Sequence, residues 1–522
     1  MLCFLKYCQY RGCQLPEDTA VMTQRAFNTS QGRWFQTGIY GTSYFAIHFA
    51  FVMDLLSPVL WVWRSALPLL LIQCLALGSM GMSSYLLARR ASDSAYIGLL
   101  VMLLVYSCPA YGQLSSASLN DGVFLAPFLL WALVFMERSR WAWAAFFFAL
   151  AAATREHFPV SVAALALYFV FREGRPSARR AITGGIVIVA AVLLLGLQLK
   201  LIGSFPAEEQ AWTMTGFPGY DAAERTPFFE IIRSLLRHPW TPLAKIVYPP
   251  ARLCPLLGLI AGAAFFPLAA PAQFLAFCVA VTPQMMMPSG NPLHDMVLQY
   301  PSLVFGLLIF AASFGAARVY KWLKDRKRQS WLLPAVLLVC GLNFKNFPRF
   351  LLPNWRLHMF DAIPRIVSKI PPDASLWTDE WLSAWVSTRA QLKLISFPGT
   401  EMSMFSRKLF KPEFVLVQKG WIIGSDPNSR DPIILFLAEG GYVKISDEPD
   451  LILLQSPGDH RAGLSPPAEV PAPSQAQRWA IQDITHRLMV REQQGVALPV
   501  PALTLDQQRL EKYCVYLLLT NS

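Results

Sequence analysis

Long apolar runs separated by short polar connections fill the chain from about residue 66 to residue 346. They lie at about 66–88, 94–112, 122–136, 141–154, 158–171, 181–202, 250–266, 270–287, 299–317 and 331–346 and are almost free of charge. A bilayer crossing takes about 20 mostly apolar residues, so the pattern predicts a series of transmembrane helices, several of them short. The stretch Tyr44–Trp63 is also apolar and aromatic, but His48, Asp54 and Pro58 interrupt it. That interruption predicts a helix lying along the outer interface, with Trp61 and Trp63 at headgroup depth, a crossing being the alternative.

Past residue 346 the pattern changes. Ala374–Thr378, Gln391–Phe397, Phe414–Gln418, Tyr442–Ile445 and Leu451–Gln455 read as short strands, with helical stretches such as Trp381–Arg389 and Pro432–Glu439 between some of them. Such alternation predicts a small α/β domain. Ser465–Ser474 is rich in Pro and Ala, a linker composition, and the polar remainder to Ser522 is expected to be poorly ordered. The expected fold is therefore an α-helical polytopic membrane protein of about 10–12 transmembrane helices with a small C-terminal extracytoplasmic α/β domain. Its divisions are 1–65 (first outer loop and interfacial helix), 66–346 (transmembrane domain), 347–460 (α/β domain) and 461–522 (linker and tail).

Charge orients this arrangement. If the first run points inward, Arg89, Arg90, Arg138, Arg140, Arg172, Arg175, Arg179, Arg180, Arg318, Lys321, Lys324, Arg326, Lys327 and Arg328 all fall inside. The outside loops between the first and last runs then hold only Arg155, Arg225, Arg233, Arg237 and Lys245. Lys and Arg are retained in cytoplasmic loops, so the expected location is the plasma (inner) membrane, multi-pass, with the C-terminal domain outside. Only 16 residues precede the acids Glu17-Asp18, too few and too polar to span. With Asp18 outside, the expectation is that a first span has been lost through a misplaced start or a truncation.

Composition agrees with membrane burial: 54% of the 522 residues are hydrophobic, 15% are charged and the mean hydropathy is +0.38. Soluble domains carry about 25% charged residues. The net charge of +12 sits in short loops between apolar runs, which speaks for topology and against nucleic-acid binding. The nine cysteines are scattered, without a CxxC pair or a metal-ligand spacing. No internal repeat, GxGxxG, phosphate-binding loop or nucleophile elbow is found.

Four polar clusters fall on the outer side: Glu17-Asp18, Asn120-Asp121, Arg155-Glu156-His157 and His294-Asp295. Ends of neighbouring helices converge, so these groups can share one cavity. Carboxylates there can act as a general base or hold a divalent metal, and arginine can clamp a phosphate. Arg252, at another outer end, is a second candidate clamp or a plain interfacial anchor. The competing reading of each cluster is that helix ends are simply where polar residues are tolerated.

The stretch Glu17-Asp18 … Gln24 … Phe27-Asn28 … Gly32-Arg33 … His48-Phe49 … Ser57-Pro58 resembles the start of a prokaryotic membrane-protein family, the domain of unknown function 2079. Leu75–Arg90, ending Tyr85-Leu86-Leu87-Ala88-Arg89-Arg90, continues the likeness. Ala126-Pro127, Arg155-Glu156, His238-Pro239 and His294 carry it to the outer domain, over roughly residues 15–457. The family looks like a branch of the C-superfamily glycosyltransferases. The resemblance implies a sugar donor carried on a polyprenyl phosphate, often with a divalent metal (Mg or Mn), and transfer on the outer face. It makes Asp18 the catalytic acid, with Glu17 beside it. Asn120, Asp121, Arg155, Glu156, His294, Asp295 and Arg252 become substrate-binding candidates, and Asp18 and Asp121 metal candidates. The chain departs from the family's His-Pro-Glu-like run, having Asn120-Asp121-Gly122, and has Arg155-Glu156-His157 in place of Lys-Glu-Asp. The expected partners are membrane lipids and the lipid-linked donor. A transporter or flippase of lipid-linked intermediates, and a non-catalytic membrane scaffold, are the other classes. A transporter would place ionisable groups within its spans, which here are nearly free of them.

Overall fold

The computed structural model describes residues 2–39, 42–156, 158–172, 177–202, 204, 237, 240, 253–285, 300–345, 357–379, 381–394, 412–418, 442–448 and 451–456. His157, His238-Pro239, Arg252, His294-Asp295, the expected helix over 432–439 and the tail 461–522 lie outside the described residues. The chain divides into two compact units. One comprises Met1–Gln9, Phe45–Val59 and Leu67–Asn354; the other comprises Tyr10–Tyr44, Leu60–Ala66 and Trp355–Ser522. The segment expected to form one outer loop, residues 1–65, is thus shared between the two.

In the first unit a helix falls on every apolar run. In chain order these are Leu67–Ser92, Ala95–Ser107, Leu125–Glu137, Trp141–Ala152, Phe158–Phe171, Ala178–Ile202, Cys254–Gly262, Pro271–Met285, Ser302–Asp325 and Leu332–Lys345. By length and composition, Leu67–Ser92, Ala178–Ile202 and Val304–Asp325 can each cross a membrane alone. Others are shorter: the 12 residues of Trp141–Ala152 reach about 18 Å at 1.5 Å per residue, against a hydrocarbon core of about 30 Å.

Two runs depart from single straight helices, each for a local reason. The run 94–112 breaks at Cys108, where the backbone is extended, and resumes as Pro109–Ser116 at an angle of 55°. Pro109 lacks an N–H and sits where a new helix tolerates that loss. In the run 250–266 the helix stops at Gly262; Ala264 and Phe265 then take left-handed φ of 55° and 56°, and a 3-10 turn, Phe266–Ala269, follows. Tyr44–Trp63 forms no long helix. It is a 3-10 turn, Tyr44–Ala46, and two short helices, Val52–Leu56 and Val59–Val62.

The Ser302–Asp325 helix organises the interior. It packs on Leu67–Ser92, Leu125–Glu137, Pro271–Met285 and the Phe266–Ala269 turn, and its Phe305, Leu307, Leu308 and Phe310 are fully buried. Small residues permit these approaches, as is usual where both helix and lipid are apolar. A Cβ at Gly315 would overlap the Phe266 carbonyl.

The second unit holds a five-stranded sheet. Strands β1 (Gln36–Thr37) and β2 (Thr42–Ser43) make a separate small hairpin. The sheet is built from β3 (Leu376–Thr378), β4 (Leu392–Leu394), β5 (Phe414–Gln418), β6 (Val443–Asp447) and β7 (Leu451–Gln455), in the order β4-β3-β5-β7-β6. The first three run parallel, with Leu376 opposite Leu392 and Phe414; β7 and β6 are antiparallel additions, with Phe414 opposite Gln455 and a bulge between Lys444 and Ser446. Every residue of β5 is buried, as expected of a central strand covered on both faces. The Leu357–Val367 helix is amphipathic: Met359, Ala362, Ile363 and Ile366, spaced i, i+3, i+4, i+7, are buried.

Candidate functional site

The first unit assembles a buried polar cluster from three connections and one helix. Asn120 is extended (φ −153°, ψ 139°) and caps the 3-10 turn Asp121–Phe124 that leads into the Leu125–Glu137 helix; its Oδ1 accepts from Gly122 N at 2.9 Å. The same oxygen accepts from Arg155 Nη2 at 2.8 Å. Arg155 follows the Trp141–Ala152 helix, so the two helices bring their connections together across 35 residues of chain. Gly122 leaves room for this approach: a Cβ there would lie 3.3 Å from both Arg155 Nε and Asn120 Oδ1, a tight contact.

Side chains also satisfy the backbone around this point. Gln73, in the Leu67–Ser92 helix, accepts from Asn120 N through Oε1 (3.2 Å) and donates to Ser118 O through Nε2 (3.2 Å). Asp121 is fully buried, and its Oδ1 accepts from Met53 N at 3.3 Å, in the first turn of Val52–Leu56. Glu156, also buried, uses both oxygens: Oε1 lies 3.0 Å from His48 Nδ1, and Oε2 accepts from Phe49 N at 3.2 Å. Phe51 N and Val52 N both donate to Ala153 O, at 2.6 and 3.0 Å. The segment 48–53 is therefore stitched to the 153–156 connection and to Asp121. Chemically the cluster joins a guanidinium, two carboxylates, an amide and an imidazole within a mostly apolar helical unit.

Glu17 and Asp18 belong to the second unit, where they occupy the first turn of the helix Glu17–Ser30 behind Pro16. Acids there are favoured by the positive end of the helix dipole. Both are half-buried, whereas residues from Thr19 to Thr29 are buried. Gln24 fixes this helix: its Nε2 donates to Arg389 O at 3.1 Å, and its Oε1 accepts from Thr37 Oγ1 (3.2 Å) and Ile39 N (3.0 Å). Asn28 donates to Gln36 O at 3.0 Å and accepts from Arg33 Nη2 at 3.0 Å. The buried Arg25 guanidinium lies 4.3 Å from the centre of the Tyr44 ring, a cation–π contact. Burial pushes the Arg389 guanidinium down to about 10, and Asp373 opposes that shift. Asp379, at the end of β3, is fully buried and accepts from Trp381 N (3.0 Å), Leu382 N (3.1 Å) and Gln418 N (2.7 Å).

Of the residues expected from sequence, Asn120, Asp121, Arg155 and Glu156 come together in the first unit, and Glu17 and Asp18 sit side by side in the second. Arg252, His294 and Asp295 lie outside the described residues. Asp18 and Asp121, the expected metal pair, are in different units, and among the described residues no three His, Cys, Asp or Glu side chains group to hold an ion. Sequence reasoning overlooked Gln73 as a partner and did not pair His48 with Glu156. The available signals were an amide inside an otherwise apolar run and a histidine interrupting an aromatic one.

No curated protein matches the chain. Two crystal structures of ArnT from Cupriavidus metallidurans are similar to it. The apo structure has a TM-score of 0.47 at 12% identity, covering 84% of this chain and 93% of that one. The structure bound to undecaprenyl phosphate has a TM-score of 0.47 at 14% identity, covering 87% of this chain and 96% of that one. The family described as "Predicted membrane protein (DUF2079)" matches residues 18–453, most of the sequence, and the chain belongs to that family.

Proposed function

We propose that this protein is a membrane glycosyltransferase that moves a sugar from a polyprenyl-phosphate donor to an acceptor hydroxyl on the extracytoplasmic face of the inner membrane. In this reaction the bond between the anomeric carbon and the phosphate oxygen breaks, and a bond from that carbon to the acceptor oxygen forms. The acceptor's proton passes to a carboxylate, and the polyprenyl phosphate leaves with the bonding electrons. Asp18 is the proposed base, with Glu17 beside it. Arg155, and Arg252 as a second cation, would neutralise the departing phosphate. Asn120, Asp121, Glu156, His294 and Asp295 would line the substrate cavity.

The observation that carries this reading is the environment of Arg155. A guanidinium buried among apolar helices needs a reason to be there, and Asn120 holds it at 2.8 Å beside a turn that opens a helix. A fixed cation of this kind is what a leaving phosphate requires. The sequence likeness to C-type glycosyltransferases supplies the class of donor.

The test is transfer from a labelled polyprenyl-phosphate sugar in membranes containing the full chain. Asp18→Asn and Arg155→Gln are each expected to lower the rate by about 10²-fold or more, with expression and membrane insertion unchanged. Full activity in both variants, or an unaltered glycan profile after deletion of the gene, overturns the reading.

A further inference from the structure

At the far end of the Leu125–Glu137 helix from Asn120 and Asp121 lies a second, unrelated feature. A cavity of about 720 Å³ opens there, lined by Leu86, Arg89, Arg90, Asp93, Arg138 and Arg140. Arg89 and Arg90 end the Leu67–Ser92 helix, and Asp93 turns the chain with a left-handed φ of 55°. Arg138 and Arg140 flank Ser139 (φ 56°) in the turn before Trp141–Ala152. Four guanidiniums and one carboxylate thus face one space.

Cations at helix C-termini are favoured by the helix dipole, which accounts singly for Arg89, Arg90 and Arg138 but not for Arg140, the N-cap of Trp141–Ala152. It does not account for their gathering around a cavity, where like charges repel. Nor do they neutralise one another's surroundings: Arg90, Arg138 and Arg140 make no side-chain hydrogen bond or ion pair with another described residue. Among the described residues the Arg89 guanidinium hydrogen-bonds Tyr85 Oη, at 3.4 Å. Each guanidinium offers five N–H donors in a planar fork suited to phosphate oxygens.

The neighbouring space has the opposite character. A cavity of about 430 Å³ is lined by Trp131, Phe135, Trp143 and Phe147 and shares Arg140 with the first. Its wall is a ladder of rings from two helices: Phe135 stacks on Phe147 (5.6 Å, 18°) and on Trp143 (5.9 Å, 28°), and Trp131 stacks on Phe147 (6.2 Å, 27°). Trp143 is exposed. An aromatic, apolar trough running out of a cluster of arginines matches an amphiphile with an anionic head and a hydrocarbon tail.

We propose that these adjoining cavities form a binding site for an anionic phospholipid of the bilayer. Its phosphate lies among Arg89, Arg90, Arg138 and Arg140, and one acyl chain lies along the aromatic wall. The charge bias assigns these turns to the cytoplasmic side, where anionic headgroups meet basic pockets between helices. The site is independent of the proposed transfer chemistry, and binding is read without any activity assay.

The experiment measures retention of lipid on the purified full chain by native mass spectrometry, together with the thermal unfolding midpoint. The probes are phosphatidylglycerol, phosphatidylcholine and inorganic phosphate. Phosphatidylglycerol is expected to bind at least about tenfold more tightly than phosphatidylcholine, a difference of about 1.4 kcal/mol, and to raise the midpoint. Arg138→Gln with Arg140→Gln should remove that preference, and Trp143→Ala should weaken both lipids. Lys324→Gln with Lys327→Gln, the same charge change at residues that do not line the cavity, should leave it intact. The proposal is overturned if wild-type protein takes the two lipids equally, if the Lys324/Lys327 pair matters as much as the arginines, or if inorganic phosphate alone raises the midpoint as far as phosphatidylglycerol does. The wild-type lipid comparison decides the matter even if the arginine variant fails to fold.

Discussion

The hydrogen bond from Arg155 Nη2 to Asn120 Oδ1 can be isolated by a double-mutant cycle, because the second duty of Asn120 is separable from the first. In the single variant Asn120→Ala at least two interactions disappear. The bond to the guanidinium, 2.8 Å and buried, belongs to the charge-assisted class worth about 1.5–3 kcal/mol. The cap on Gly122 N, 2.9 Å, is worth about 0.5–2 kcal/mol. The expected loss is therefore about 2–5 kcal/mol. In an Arg155→Ala background the bond to the guanidinium is already gone while the cap remains, so Asn120→Ala should then cost about 1.5–3 kcal/mol less. The coupling between the two sites, about 1.5–3 kcal/mol, is what the cycle reports. It is measured by equilibrium unfolding of the full chain in mixed micelles of increasing SDS mole fraction. A functional readout accompanies it. If Asn120 aims Arg155 at a phosphate, Asn120→Ala should raise the KM for a polyprenyl-phosphate donor about tenfold or more, since 1.4 kcal/mol of misplaced binding is a factor of ten. A coupling below about 0.5 kcal/mol would refute the reasoning: Arg155 would then be held by other contacts, and Asn120 would be a cap alone.

Two further outcomes concern the second unit. Gln24→Ala strands two buried backbone groups, the Ile39 N–H and the Arg389 carbonyl; at about 1–3 kcal/mol each, the full chain should lose about 2–6 kcal/mol, seen as faster proteolysis between residues 30 and 45. Unchanged cleavage would mean that this helix is held by its apolar contacts only. Tyr442 donates to Pro412 O at 2.7 Å, and burial pushes its phenol up from 10 to about 12. Between those values the unfolded chain has released the proton and the folded chain keeps it. The contribution of Tyr442 is therefore complete below about pH 10 and is lost as pH rises towards 12. Alkaline unfolding curves of the wild type and of Tyr442→Phe should diverge in that window, and parallel curves would contradict the assignment.

Much of the architecture was legible because its causes are local. Ten apolar runs became helices, and five short runs rich in Val, Ile, Leu and Phe became the strands of one sheet. The strand order β4-β3-β5-β7-β6 was not legible, since it depends on which non-adjacent edges meet. Breaks inside runs were partly legible. Pro109 announces its bend, whereas the left-handed Ala264 and Phe265 carry no such mark. The candidate site shows the same division. That Asn120, Asp121, Arg155 and Glu156 sit at helix ends followed from hydropathy alone. That His48 would meet Glu156 across 108 residues did not, because a broken aromatic segment carries no periodicity from which its path can be read.

The breaks and the site are two sides of one constraint. Where a helix stops among apolar helices, its freed N–H and C=O groups find no water and must be satisfied by protein. The chain stops in this way at Ser116 and does not resume regular structure until Asp121. In that interval Lys6 Nζ takes the Ala117 carbonyl at 2.6 Å and the Ser116 carbonyl at 3.1 Å, and Gln73 takes Ser118 O and Asn120 N. Two buried polar side chains, Lys6 and Gln73, are thus what satisfies a non-helical stretch inside the unit. Only because that stretch exists can Asn120 turn its side chain towards Arg155 and Asp121 present a buried carboxylate at the start of the next helix. A continuous helix through residues 109–137 would bond its own backbone and present no such turn. Polar residues that satisfy a broken backbone are therefore part of how the candidate site is built, even though they need touch no substrate.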